Sequence, residues 1–202
     1  MRIIAIDTST RRGIVSRSVE QAAAAAEAAG ATVERVCLTQ LEIRTCTGCG
    51  MCRATGVCKI EDDLPHLAER IASADGVILG TPSYFRHAEE RTQAVLDRLG
   101  SYFAPSGQLR LPGMGPNEVA RTPVARDARR AVLITACAAP EPLATFFGYT
   151  SGPLKALRDA LGCGGIRTVG SLAVTDTWRH PEIHQWEQDK ARSLGRILAG
   201  KI

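Results

Sequence analysis

Short apolar runs alternate along this chain with longer stretches in which apolar residues recur every three or four positions. RIIAI at 2–6 is continuous and brief, the mark of a strand buried on both faces. SRSVEQAAAAAEAAG at 16–30 has helical period and is stopped by Gly30, and TVERVCLT at 32–39 reads as a second strand. Asp62 and Asp63 open a helix at the end its dipole favours for carboxylates, and Leu64, Leu67, Ala68, Ile71 and Ala72 form its buried stripe. GVILGT at 76–81 is the third strand, followed by a helix with the stripe Ala88, Thr92, Val95, Leu96 and Leu99. AVLITAC at 131–137, a helix over 151–162, SLAVTD at 171–176 and a helix from about Pro181 to Leu198 complete the series.

This βαβ series predicts an α/β fold, a doubly wound three-layer sandwich around a five-stranded parallel sheet. Ligands of such sheets bind beyond the carboxyl ends of the strands, so the loops after strands one, three and four carry the interest. A length of 202 residues, 45% hydrophobic and 23% charged, suits one domain over 1–202. Residues 100–130, rich in proline and glycine, are too long for an ordinary connection and are expected as an irregular insertion, whether lid, oligomer contact or mobile segment.

No apolar run is long enough for a leader core or a membrane span, which leads us to expect a cytoplasmic protein without membrane contact. The net charge of +4 is mild, the arginines are scattered and nine residues are aromatic, so nucleic acid is not the expected partner. The basic balance suits a phosphorylated cofactor or an acidic redox protein.

The turn after strand one, DTSTRRGIVS, offers hydroxyls at Thr8, Ser9, Thr10 and Ser16, the guanidinium groups of Arg11 and Arg12, and Gly13 where the helix begins. Free amides at a helix start with these donors suit a terminal phosphate, though plain capping explains the same residues equally well. After strand three, TPSYF sets Tyr84 and Phe85 at a strand exit behind Pro82, where a flat ring can lie against the loop and bond amides from Ser83 onward. Aromatic packing at a strand end is the alternative. After strand four, Ala136, Cys137, Ala138 and Ala139 are small enough for a ligand to approach the backbone.

Four of the seven cysteines fall within 46–58, spaced C-x2-C-x2-C-x5-C with Gly48, Gly50 and Gly56 between them. In a reducing compartment such clustering points to metal or redox chemistry rather than structural disulfides. The spacing is too compact for a zinc ribbon, whose two knuckles lie about a dozen or more residues apart. Cys46, Cys49 and Cys52 at intervals of three can wrap one face of an iron-sulfur cube, with Cys58 as fourth thiolate, while thiol redox chemistry stays open. Cys37 and Cys163 read as small core residues, Asp97 and Arg98 as partners in surface ion pairs, and His180 and His184 as a surface pair sharing a helix face.

Together these residues make the chain resemble the iron-sulfur flavoproteins of the flavodoxin-like, NADPH-dependent FMN reductase superfamily, over nearly its whole length. The resemblance implies the strand order 2-1-3-4-5 and a cysteine-rich loop after strand two. It implies an FMN phosphate site at Ser9, Arg11, Gly13 and Ser16, with Val15 where relatives carry asparagine, Thr8 where they carry glycine and Thr10 where they carry proline. It implies an isoalloxazine site at Pro82, Ser83, Tyr84 and Phe85, with Ala136 on the same edge, and matches Asp97 and Arg98 to the family's Asp-Arg. It implies a 4Fe-4S cluster on Cys46, Cys49, Cys52 and Cys58, followed by a family-like IEDDL.

The implied function is an FMN-dependent oxidoreductase that passes electrons from ferredoxin or NAD(P)H to a quinone, dioxygen or peroxide. No side chain is assigned as catalytic acid or base, and a homodimer or homotetramer is implied, with the cluster near a subunit contact. The alternatives are a cluster-free NAD(P)H:FMN or quinone reductase, and a non-enzymatic cysteine-metal regulatory module.

Overall fold

The computed structural model describes residues 1–52, 58–103 and 129–200. Five parallel strands run in the spatial order β2-β1-β3-β5-β6: β1 (Arg2–Asp7), β2 (Thr32–Cys37), β3 (Gly76–Tyr84), β5 (Arg130–Ala136) and β6 (Arg167–Val174). The order is the one expected, with the chain starting in the middle of the sheet and stepping first to one side, then to the other. β4 (His87–Ala88) pairs antiparallel with the end of β3, so the described residues form six strands rather than five. Pro82 does not end β3, because at this position its ring occupies the outer end of the ladder opposite Ala136. The chain instead runs on to Tyr84 and reverses through Phe85 and Arg86, both at positive φ (46° and 72°), as a two-residue hairpin requires.

The helices form two layers. α1 (Ile14–Ala28) and α6 (Gln185–Leu198) cover one face, burying Val15, Val19, Ala22, Leu194 and Leu198 against Ile3, Ala5, Ile78, Val132 and Ile134. α2 (Leu64–Ser73), α3 (Glu90–Phe103) and α5 (Ser151–Cys163) cover the other, closing on Ile4, Ile6, Val77, Leu79 and Leu133. The short α4 (Leu143–Phe146) lies between β5 and α5 in the chain. The alternation of Ile3 and Ala5 with Ile4 and Ile6 between the two cores is the two-sided burial that the continuous apolar run implies. Among the described residues no helix is long and apolar enough to cross a membrane.

Several sequence expectations need correction. Ala88 belongs to β4, and α3 begins only at Glu90. Of the insertion expected over 100–130, residues 100–103 continue α3 and residue 130 opens β5, while 104–128 lie outside the described residues. α6 starts at Gln185, four residues later than expected, because the Glu187 carboxylate accepts the His184 amide at 2.7 Å and sets the helix start there. His180 and His184 therefore precede the helix, their rings 5.0 Å apart, and share no helix face. Cys37 and Cys163 are half-buried rather than core residues.

Candidate functional site: the strand ends and the cysteine loop

Parallel register brings the exits of β1, β3, β5 and β6 to one edge. Asp7 pairs with Gly80, Pro82 with Ala136, and Ala136 with Val174. Backbone bonds continue past the strands, from the Thr8 amide to the Gly80 carbonyl (3.1 Å) and from the Cys137 amide to the Val174 carbonyl (2.9 Å). α1 approaches β3 so closely that a Cβ on Gly80 would lie 2.4 Å from Val19 Cγ2 and 2.9 Å from Val15 Cγ1. Only glycine admits this contact, which fixes where the N-terminus of α1 stands relative to β3.

That N-terminus is uncapped. Gly13 occupies the cap position, no side chain bonds the first-turn amides, and no acidic residue lies in the first turn. The turn before it buries Thr8 and Ser9, at 1% and 7% exposure, and among the described residues neither hydroxyl has a hydrogen-bond partner. Ser9 is oriented by its amide, which donates to Asp7 Oδ1 at 2.9 Å. Orphaned buried hydroxyls are costly unless something supplies an acceptor, and here they adjoin open helix amides and the exposed guanidinium groups of Arg11 and Arg12. This donor-rich set fits a phosphate. Val15 is buried against the sheet, leaving its amide as the group that can face an anion, and Ser16 is half-buried.

On the neighbouring strand exit, Thr81 is fully buried and accepts the Glu89 amide at 3.2 Å. Ser83 donates its hydroxyl to the Tyr149 carbonyl, tying the hairpin to the segment before α5. Tyr84 and Phe85 stand outside the core at 55% and 84% exposure, and so the sequence alternative of aromatic packing does not describe them. Two consecutive non-glycine residues at positive φ carry backbone strain that the fold must offset, a frequent feature of ligand-binding turns. Ala136 and Cys137 are buried at the end of β5; burial pushes the Cys137 thiol up. Beyond them, Ala138, Ala139, Pro140, Asp176, Trp178 and Arg179 line a cavity of about 410 Å³.

The cysteine loop leaves the sheet after β2. Cys46 and Cys49 are exposed, Cys52 and Cys58 half-buried, and residues 53–57 between the last two lie outside the described residues. Gly48 and Gly50 adopt positive φ (65° and 72°), a backbone geometry that lets a short loop curl around a ligand. The Met51 amide, then the Thr47 hydroxyl, lower the Cys49 thiol below its ordinary value. Among the described residues no three His, Cys, Asp or Glu side chains are gathered as a metal site. Four thiols on a curling loop are the right donors for iron and sulfide, and the loop as it stands does not converge them.

The neck of this loop is closed by a buried ion pair. Arg98 and Asp62 have side chains 1% and 0% exposed, and Arg98 Nη2 donates to Asp62 Oδ1 at 2.9 Å while Nη1 donates to Oδ2. Arg98 Nη1 also donates to the Arg44 carbonyl at 2.8 Å, and Asp62 Oδ2 accepts the Arg44 amide at 2.9 Å. Burial works to raise the Asp62 carboxyl, but the Arg98 hydrogen bond and the Arg44 and Leu64 amides outweigh it and hold the group below the usual carboxylate range. The same bond to Asp62 pushes Arg98 up.

This pair overturns the expectation that Arg98 is a surface charge. Asp97 does remain at the surface, where it accepts Gln93 Nε2 at 2.7 Å. The signal for Arg98 was its position three residues after Val95 and four before Tyr102, on the buried side of α3; a charge there needs an internal partner. The sequence pattern places Asp176 at the end of the fifth strand, but β6 stops at Val174, so Asp176 lies in the loop beyond it, where no periodic pattern singles out Trp178 either.

Comparison with known proteins agrees with this geometry. The family described as NADPH-dependent FMN reductase matches residues 1–115. An iron-sulfur flavoprotein of Methanocaldococcus jannaschii is 34% identical over 99 residues, covering 48% of this chain and 51% of that protein. Another, from Archaeoglobus fulgidus, is 33% identical over 103 residues, covering 50% and 47%. The chain thus spans about half the length of the curated relatives it matches. In fold alone, it is similar to an NAD(P)H:quinone oxidoreductase from Methanothermobacter marburgensis (TM-score 0.69, 16% identity, 98% of each chain covered). An archaeal flavodoxin is also similar in fold (TM-score 0.59, 8% identity, 99% of this chain and 97% of that chain covered). The chain belongs to the NADPH-dependent FMN reductase family, and its sheet order is flavodoxin-like.

Proposed function

We propose that this protein is an FMN-dependent oxidoreductase of the iron-sulfur flavoprotein type. It takes electrons from NAD(P)H or a reduced ferredoxin-like protein and delivers them to an acceptor such as a quinone, dioxygen or peroxide. The observation that carries this reading is the pair of orphaned buried hydroxyls, Thr8 and Ser9, beside the uncapped start of α1. Those donors, with Gly13, the amides of Val15 and Ser16 and the Arg11 side chain, would hold the FMN phosphate. Pro82, Ser83, Tyr84 and Phe85 would lie along the ring, with Ala136 leaving room beside it.

When bound, FMN accepts electrons in pairs and releases them singly. The chain's own part is to fix the phosphate, orient the ring at the edge where four strands end, and keep water from one side of it with Tyr84 and Phe85. No acid or base is needed from a side chain. Cys46, Cys49, Cys52 and Cys58 would hold a 4Fe-4S cluster, which carries one electron at a time. Free thiols at 46 and 49 suit a reducing cytoplasm, and a homodimer or homotetramer would bring the loop near a neighbour's ring.

The scattered state of the four thiols favours one second reading, a cluster-free NAD(P)H:FMN or quinone reductase. Strictly anaerobic purification with iron, sulfide and flavin counts separates the two. The first reading expects Cys49→Ser to lose iron and keep FMN. The second expects Cys49→Ser to leave both spectrum and NAD(P)H-dependent reduction unchanged.

A further inference from the structure

We propose that Arg98 is the positioning residue of the cysteine loop: with Asp62 it closes the loop's neck and sets a fixed, buried cation at its base. This rests on the reading of the loop as a metal site, and it concerns how the chain prepares that site before any metal arrives.

Three observations converge on it. The bidentate Arg98–Asp62 pair bonds the chain on both sides of the four cysteines, reaching the Arg44 carbonyl before Cys46 and, at 3.4 Å, the Ile60 carbonyl after Cys58. A second contact doubles the closure, since Asp63 Oδ2 accepts the Glu42 amide at 2.7 Å and the Asp63 amide donates to the Glu42 carbonyl at 3.0 Å. The third observation is an imbalance. Among the described residues Arg98 Nε is buried without an acceptor, although the rest of the guanidinium is fully used. A buried cation with a spare donor at the base of a thiol-bearing loop can bond a thiolate or a cluster sulfide.

The thiols are held unequally as a result. Cys46 and Cys58 each lie two residues from a carbonyl that Arg98 holds, Arg44 and Ile60, whereas Cys49 lies exposed between two positive-φ glycines, Gly48 and Gly50. The cation offsets part of the negative charge that four thiolates bring together.

The test compares Arg98→Lys and Arg98→Gln with the wild type. Hydrogen exchange by mass spectrometry on metal-free protein follows the neck segments 41–45 and 59–64 against the core strand 131–135. We expect neck exchange to rise at least about tenfold in both variants, because neither restores the fork to Asp62 and the two carbonyls, while core exchange stays unchanged. Neck exchange equal to wild type in both variants overturns the proposal.

Iron and sulfide reconstitution supplies the second readout. We expect Arg98→Gln to lower the midpoint potential of the bound iron and Arg98→Lys, which keeps the charge, to stay nearer the wild type. A merely structural role would move both variants alike, and that result contradicts the cation's part. If wild-type protein takes up no iron, the metal reading of the loop fails, and the exchange measurement still decides whether Arg98 closes the neck.

Discussion

The phosphate turn and the cysteine loop follow the carboxyl ends of adjacent strands, β1 and β2, yet they are held in opposite ways. The turn is set by sheet register: Asp7 pairs with Gly80, Thr8 bonds the Gly80 carbonyl, and α1 rests on the bare Cα of Gly80. The groups proposed to bind phosphate there are amides and hydroxyls, which are neutral and can stand close together before any ligand arrives. The cysteine loop is fixed at its neck by side chains from α3 and the start of α2, and its own ligating groups are apart. Thiolates repel one another, and only a cation makes their convergence favourable. On the reading proposed above, one site is ready in advance, and the other is prepared at its base and completed by what it binds.

The largest effect in this comparison comes from the neck. Asp62→Ala leaves Arg98 buried without its counter-charge and should cost about 3–5 kcal/mol of stability, while FMN affinity stays within about twofold because the phosphate turn is untouched. Urea denaturation and flavin titration measure the two sides. The pH dependence has a definite sign. The Asp62 carboxyl is depressed in the folded state, so its stabilisation is fully present above the ordinary carboxylate range and is lost as the pH falls through the folded value. Asp62→Asn should flatten that acid limb, and an unchanged limb would show that the pair contributes nothing there.

Gly80→Ala attacks the other region. A methyl group at 2.4 Å from Val19 must push α1 away from β3, costing about 1–3 kcal/mol and displacing the phosphate amides from the strand exits. FMN affinity should drop with it, and reconstituted iron content should not. A variant that binds FMN as tightly as wild type would break the link drawn between Gly80 and the phosphate turn.

Ser9→Ala is a finer probe, since the hydroxyl has no partner among the described residues. Its removal should leave the FMN-free protein equally or slightly more stable, yet weaken FMN binding by about fivefold to tenfold through one lost hydrogen bond. Thermal unfolding with and without FMN separates the two signs. The smallest effect is expected at Phe85→Gly, which relieves a positive φ and should gain up to about 1 kcal/mol of fold stability, at some loss of ring binding.

The parallel sheet was legible in the sequence because each central strand is a continuous apolar run with a helical stripe after it, as in GVILGT and the stripe through Val95 and Leu99; its strand order came from the family resemblance. The phosphate turn was legible for a related reason: Ser9, Arg11 and Gly13 lie next to one another in the chain. The hairpin was not, since Phe85 and Arg86 take a backbone shape for which sequence normally selects glycine or asparagine. The Arg98 clamp was hidden because its partner is 36 residues away and the charge adjoins an ordinary-looking Asp97. What sequence hides here is held by side chains distant in the chain, and what it shows is held by neighbours.

The most direct test of the central claim is a titration of the flavin-free protein with FMN and, separately, with riboflavin, followed by flavin fluorescence. Burying Thr8 and Ser9 as phosphate donors at the start of α1 predicts tight binding of FMN and at least about hundredfold weaker binding of riboflavin, which lacks the phosphate. Equal affinity for the two, or no binding of either, would contradict the account.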